Sequence, residues 1–315
     1  MDTIDRVTSS QTKRVRRRAT WFLLLCLAGL IVSLFLIAII QERQRQKTAG
    51  IGPAVPDPIH GASVSPLCIN VALSDAFGSS SAGFEEDALD ATLTRIADAG
   101  FVWLRQTFPW AEIEPTPGVY DWARWDALVQ AVAEHPADLR LIAVLDTAPA
   151  WAIGNSVGEW DAAPPTNPAD LGRFAAVFAE RYGDHIDLYQ VWDEPNLRSH
   201  WGGRDVNPAE YAPLLQAAAD AIRATDADGQ ATIILAGLAP TVETGAHNLS
   251  EARYLRALYD LDAAPYFDIV SGKPYGFDTD SKDRRLSENV LNFSRLALLR
   301  EVMLENGDGL KAVWA

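Results

Sequence analysis

Short apolar segments alternate with helical patterns, long aromatic loops collect at one end of those repeats, and one twenty-residue run carries no charge. Together these predict an α/β protein: a (β/α)8 TIM barrel, incomplete because it ends in strand seven, preceded by one N-terminal transmembrane helix.

The uncharged run is Trp21 to Ile40, long enough to cross a hydrocarbon core of roughly 30 Å. Arg6, Lys13, Arg14, Arg16, Arg17 and Arg18 precede it, and only Arg43, Arg45 and Lys47 follow. That asymmetry places the N-terminus in the cytoplasm and the rest outside. A cleaved signal peptide would have a shorter apolar core, about 7 to 15 residues, with a small-residue cleavage site close behind. The expected organisation is a basic tail over 1–20, a signal-anchor helix in the bilayer over 21–40, a Gly- and Pro-rich linker over 41–65, and the barrel over 66–315.

The first 47 residues hold nine basic and three acidic side chains, leaving 18 basic against 39 acidic beyond them, a net of −21. Such a domain repels polyanions, so nucleic acid is not an expected partner. Cys26 lies in the apolar run and Cys68 in the first strand, so neither a disulfide nor a cysteine metal cluster is expected. The five histidines lack metal-ligand spacing. No Gly-x-Ser-x-Gly elbow or phosphate loop occurs either, and no cofactor is expected.

The repeats run in order. Leu67 to Leu73 precedes a helix over Glu85 to Ala99; Phe101 to Gln106 precedes Trp122 to Glu134; Leu139 to Leu145 precedes Ala169 to Tyr182. Ile186 to Trp192 then precedes Pro208 to Thr225, Ala231 to Leu238 precedes Glu251 to Leu261, and Phe267 to Val270 precedes Ser287 to Asn306. Alternation of this kind builds a parallel sheet with right-handed crossovers. Helix-to-strand joints are short, whereas the strand-to-helix joints 146–167 and 193–207 are long and carry Trp151, Trp160 and Trp201. The end of the sheet that gathers such loops is the functional one. Leu310 to Ala315 reads as the opening of strand seven, and an open edge there would be apolar, so a longer reading frame is expected.

At the end of the fourth strand stands Trp192-Asp193-Glu194-Pro195-Asn196-Leu197. Glu194, on the rim between an aromatic residue and a proline, is the best candidate for a working acid; the bland alternative is a carboxylate opening a helix. The motif resembles the Trp-Asn-Glu-Pro-Asn of clan A glycoside hydrolases, the cellulase-like and family 39 xylosidase-like retaining enzymes. The resemblance implies Glu194 as acid/base, a carbohydrate substrate and a nucleophilic Glu shortly after Trp314, beyond Ala315. It further implies that Arg105 and Tyr275 orient that nucleophile and that Asp193 contacts the sugar 2-position. Trp110, Trp151, Trp201, Lys273 and Asn196 are the expected substrate contacts, the tryptophans as stacking platforms. Two residues depart from the pattern: Asp193 replaces Asn, and Lys273 replaces the His of a strand-six His-Pro-Tyr. An ion pair between them would make one change compensate the other. Those departures also keep open a non-catalytic carbohydrate-binding barrel.

Overall fold

A computed structural model describes residues 2–48, 67–74, 86–154 and 162–315. The expected linker from 49 onward, the start of the first barrel helix at Glu85, and Trp160 lie outside the described residues. The chain divides into two compact units, Met1–Ala49 and Gly50–Ala315.

The first unit is one helix, α1 (Asp2–Thr48). Within its Thr20–Arg45 stretch an 18-residue window has a mean hydropathy of 3.1, and the stretch is long and apolar enough to cross a membrane. The helix runs past Ile40, so residues 41–48 are helical and not linker. Nothing in Gln41 to Thr48 breaks a helix, and Glu42 pairs with Arg45 one turn on, at 3.2 Å.

In the second unit the elements follow as β1 (Cys68–Val71), α2 (Glu86–Asp98), β2 (Trp103–Pro109), α3 (Trp110–Ile113), α4 (Ala123–Ala133), β3 (Arg140–Asp146), α5 (Ala150–Ile153), α6 (Pro168–Tyr182), β4 (Leu188–Val191), α7 (Pro208–Thr225), β5 (Thr232–Ile234), α8 (Glu251–Asp260), β6 (Ile269–Ser271), α9 (Leu296–Glu305) and β7 (Ala312–Trp314). All seven strands are parallel and hydrogen-bonded in sequence order. This is the incomplete TIM barrel that the alternation predicts.

The two long outer helices start where the sequence stops them sliding further. Asn167 and Asn207 accept from the amides of Ala169 and Ala209 at 3.2 and 3.0 Å, each with a proline at the first helical position. Between sheet and helices sits an aromatic layer, in which Phe108 of β2 meets Phe178 of α6 edge-on at 4.9 Å and Trp125 of α4 at 5.2 Å. On the inner face, Trp103, Ile142, Leu188, Ile234 and Ile269 form one buried layer, with Cys68, Ala312 and Trp314 packed against it. Every strand contributes, so the sheet curls around its own side chains.

Among the barrel elements, the last helix departs most from expectation. The last helix starts at Leu296 rather than Ser287, after a single 3-10 turn over Phe293–Arg295. The Arg295 guanidinium accounts for this: it takes the carbonyls of Ser287, Glu288 and Val290 at 3.1, 2.8 and 2.8 Å and so holds that segment in a loop.

Candidate active site

Parallel pairing brings the strand ends to one rim, and polar side chains converge there. Arg105 faces the lumen from β2, between the buried outward residues Leu104 and Gln106. Its Nη2 donates to Asp193 Oδ1 at 2.8 Å, its Nε to Gln190 Oε1 at 2.9 Å, and its Nη1 to Asn70 Oδ1 at 3.3 Å. Gln190 Nε2 donates to Asp193 Oδ1 at 3.1 Å. From the end of β6, Lys273 Nζ donates to Asp193 Oδ2 at 2.8 Å and to Glu194 Oε1 at 2.6 Å. The second oxygen of Glu194 lies 3.3 Å from His200 Nδ1.

Local backbone geometry aims this pair of carboxylates. Trp192 and Glu194 have φ of 70° and 47°, left-handed values that a side chain occupies at a cost of about 1–3 kcal/mol each. Fixed partners sustain them. Trp192 Nε1 donates to His200 O at 3.2 Å, the Glu194 amide to Gly237 O at 3.2 Å, and Asp193 continues the pairing to β5 through a bridge with Gly237. A Cβ on Gly237 would stand 2.9 Å from Asp193 Oδ1 and 3.2 Å from Lys273 Cε, so any other residue there would push on the Asp193–Lys273 pair.

Charge follows from this packing. Burial alone would lower the Lys273 ammonium, but the charges of Asp193 and Glu194, and the hydrogen bonds to both, hold its pKa above the ordinary value. Asp146, at the end of β3, is pushed up to about 6, chiefly by burial; Thr147 Oγ1, donating at 2.9 Å, opposes the shift and the Asp193 charge adds to it. A cavity of about 420 Å³ opens below the cluster, with Arg105, Gln190 and Lys273 at its mouth and Cys68, Trp103 and Trp314 among its apolar walls.

The structure thus gathers Arg105, Asp193, Glu194 and Lys273, and adds Asn70, Asp146, Gln190 and His200. Gln190 was legible as the polar interruption in an apolar strand, and Asp146 as a carboxylate at a strand end. Three other expectations, those for Asn196, Trp110 and Trp201, are corrected. Asn196 is fully buried: it donates to the carbonyls of Ala239 and Leu249 at 2.8 and 3.0 Å and accepts from the Ala239 amide at 3.0 Å, so it ties two loops together. Trp110 and Trp201 are also fully buried and present no face to a ligand. Trp110 bonds Glu114 Oε2 at 2.7 Å, and Trp201 packs edge-on against Trp192 at 6.1 Å. Tyr275 is half-exposed and stands against Phe277 rather than in the Arg105 cluster. Trp151 is partly buried, its indole N–H on Glu114 O at 3.0 Å and the Arg173 guanidinium 5.5 Å from its ring centroid.

The known proteins that this chain resembles lie in glycoside hydrolase families. Residues 83–156 match the family model for beta-galactosidase of glycoside hydrolase family 42. No curated protein matches the chain by sequence. A solved family 39 glycoside hydrolase from the gut symbiont Bacteroides cellulosilyticus WH2 aligns with a TM-score of 0.50 at 18% identity, over 76% of this chain and 45% of its own. The chain therefore spans less than half of that enzyme's length. The exo-beta-1,4-mannosidase Op5Man5 from Opitutaceae bacterium strain TAV5 aligns over 65% of this chain and 37% of its own, at 18% identity and a TM-score of 0.47.

Proposed function

We propose that this chain is the membrane-anchored, extracytoplasmic part of a retaining glycoside hydrolase acting on a poly- or oligosaccharide. The observation that carries this reading is Glu194, held at the end of β4 by Lys273 and His200, with Asp193 beside it and with Arg105 and Lys273 lining the neighbouring cavity. Retaining hydrolysis needs a carboxylic acid to protonate the leaving oxygen and a second carboxylate about 5 to 5.5 Å away to attack the anomeric carbon. Glu194 would be the acid/base. Arg105, reaching across the cavity mouth, would orient a nucleophile carried by the continuation of β7. Asp193 would accept from the sugar 2-hydroxyl, and Lys273 would contact the substrate once it releases Glu194. An apolar floor beneath a polar mouth suits one pyranose, with its hydroxyls at the rim.

α1 would be the anchor, its basic end in the cytoplasm. The test of the reaction, in a protein that continues β7 to its nucleophile, is hydrolysis of a panel of β-linked 4-nitrophenyl and alkyl glycosides with the anomeric product followed by proton NMR. Retention is expected, and Glu194→Ala should lower turnover of poor leaving groups about 10²–10⁴-fold. Inverted product, or an unaffected Glu194→Ala variant, would rule the mechanism out.

A second reading rests on one contact. Lys273 Nζ already occupies Glu194 Oε1 at 2.6 Å, where a glycosidic oxygen would have to approach, which favours a barrel that binds carbohydrate without cleaving it. Saccharide binding without turnover in either wild type or Lys273→Met would support that alternative.

A further inference from the structure

The carboxyl at the end of β4 meets a different kind of partner on each oxygen. Lys273 Nζ, which lines the cavity, donates to Glu194 Oε1 at 2.6 Å. His200 Nδ1, on the loop that follows β4, stands 3.3 Å from Glu194 Oε2. Oε1 is thus the oxygen turned toward the cavity side.

His200 stands on a fixed frame. It closes a single 3-10 turn over Arg198–His200, its amide donating to Leu197 O at 3.0 Å and its carbonyl accepting from buried Trp192 Nε1 at 3.2 Å. The loop after β5 zips onto that turn. Asn248 Oδ1 accepts from the Arg198 amide at 3.0 Å, the Leu249 amide donates to Asn196 O at 3.0 Å, and the Val206 amide donates to Ala246 O at 2.7 Å. Lys273, by contrast, reaches the acid with an ammonium on a flexible four-carbon stem, and it keeps Asp193 Oδ2 at 2.8 Å as a second partner when it lets go. The lysine can swing, whereas the imidazole stays.

Hydrogen-bond chemistry then decides where a proton can sit. Ser199 Oγ lies 2.9 Å from the same Nδ1. A hydroxyl can donate or accept, but an ionised carboxylate only accepts, so the contact with Oε2 selects the tautomer that carries its proton on Nδ1. An N–H on Oε2 leaves Oε1 as the oxygen on which Glu194 carries its proton once Lys273 has turned to Asp193 alone. That oxygen is also the one on the cavity side.

We infer that His200 is a positioning residue for the acid step: by occupying Oε2 it makes Oε1 the oxygen that delivers the proton to the glycosidic bond. The inference rests on the glycosidase reading of Glu194. In that step the O–H bond at Oε1 breaks as the leaving oxygen takes the proton. The nucleophile bonds to the anomeric carbon, and the anomeric C–O bond gives its electron pair to the departing oxygen. Without His200 the carboxyl turns about its Cγ–Cδ bond, and the proton resides on either oxygen.

The test compares glycosides that need the acid with one that does not, in the protein that continues β7 to its nucleophile. In His200→Ala, kcat/KM for alkyl glycosides should fall about 10–100-fold. A 2,4-dinitrophenyl glycoside of the same sugar, whose leaving group departs without a proton, should keep its wild-type value. His200→Asn, whose amide N–H takes the place of the Nδ1–H, should restore most of the loss. His247→Ala, on the adjoining loop with its ring on Asp205, should change neither substrate. An equal loss on both substrates, which a merely structural role would produce, overturns the assignment. So does no loss on either, or a loss that His200→Asn leaves in full. In each of those cases wild type still cleaves both glycosides and the hydrolase reading stands. Wild type that cleaves neither refutes that reading and, with it, the role of His200.

Discussion

Lys273 and Asp193, eighty positions apart in sequence, are joined by a 2.8 Å ion pair across the ends of β6 and β4. Each side chain is 18% exposed, so water screens the contact only in part. The pair gives physical content to the two places where the sequence departs from the clan A pattern.

If the two substitutions compensate one another, their effects on stability are not additive. Asp193→Asn and Lys273→His should each destabilise the fold, while the double variant loses less than the sum, with a coupling energy of about 1–3 kcal/mol by chemical denaturation. Strict additivity would show the contact to be energetically idle.

Asp146 gives a stability that depends on pH. An unfolded carboxyl titrates near its ordinary 3.8, whereas the folded one titrates at about 6, so the native state binds the proton more tightly. Stability is therefore full below the unfolded value and declines as pH rises toward 6. Asp146→Asn, which keeps an acceptor for Thr147 Oγ1, should be more stable than wild type by about 3 kcal/mol at pH 7, with the difference vanishing below pH 4. A difference independent of pH would show that the Asp146 charge is not responsible.

Arg295 is the structural counterpart, a buried cation with every contact internal. It pairs with buried Glu251 and also donates to Thr241 O at 2.7 Å. Arg295→Met strands that carboxylate, and the expected loss is about 3–5 kcal/mol, on the order of 10 °C in Tm for a domain of this size. A shift of a degree or two would show that the loop holds without it.

The orientation of α1 is testable by protease protection in intact cells that carry an N-terminal tag. The tag should be shielded and the barrel digested. Leu30→Arg, placing a charge mid-helix at a cost of about 2.5–3.5 kcal/mol, should release protein to alkaline carbonate washing. A digested tag with a protected barrel would reverse the topology.

How much of this was legible follows the range of the interactions. The parallel strand order and the placement of Glu194, Asp193 and Arg105 at one rim came from periodicity and strand ends, which are local signals. The Asp193–Lys273 contact was foreseeable because two unusual residues demanded partners. Burial of Trp110, Trp201 and Asn196 was not, since an aromatic or amide in a loop looks alike whether it faces a ligand or the loop's own core. The start of α9 was missed for a related reason. Ser287 to Asn292 has helical propensity enough, but one buried arginine outbids the helix for its carbonyls, and that contest is settled in three dimensions.

Trp103 of β2 and Trp314 of β7 meet with ring centroids 6.0 Å apart, although their strands stand at different places in a sheet whose order runs from β1 to β7. The lumen layer thus brings side chains of the second and seventh strands into contact, and both indoles line the cavity that Arg105 and Lys273 also border. Trimming Trp103, which touches none of the rim's charged groups, would open that cavity from the apolar side and make a core residue a dial for the space beside Arg105 and Lys273.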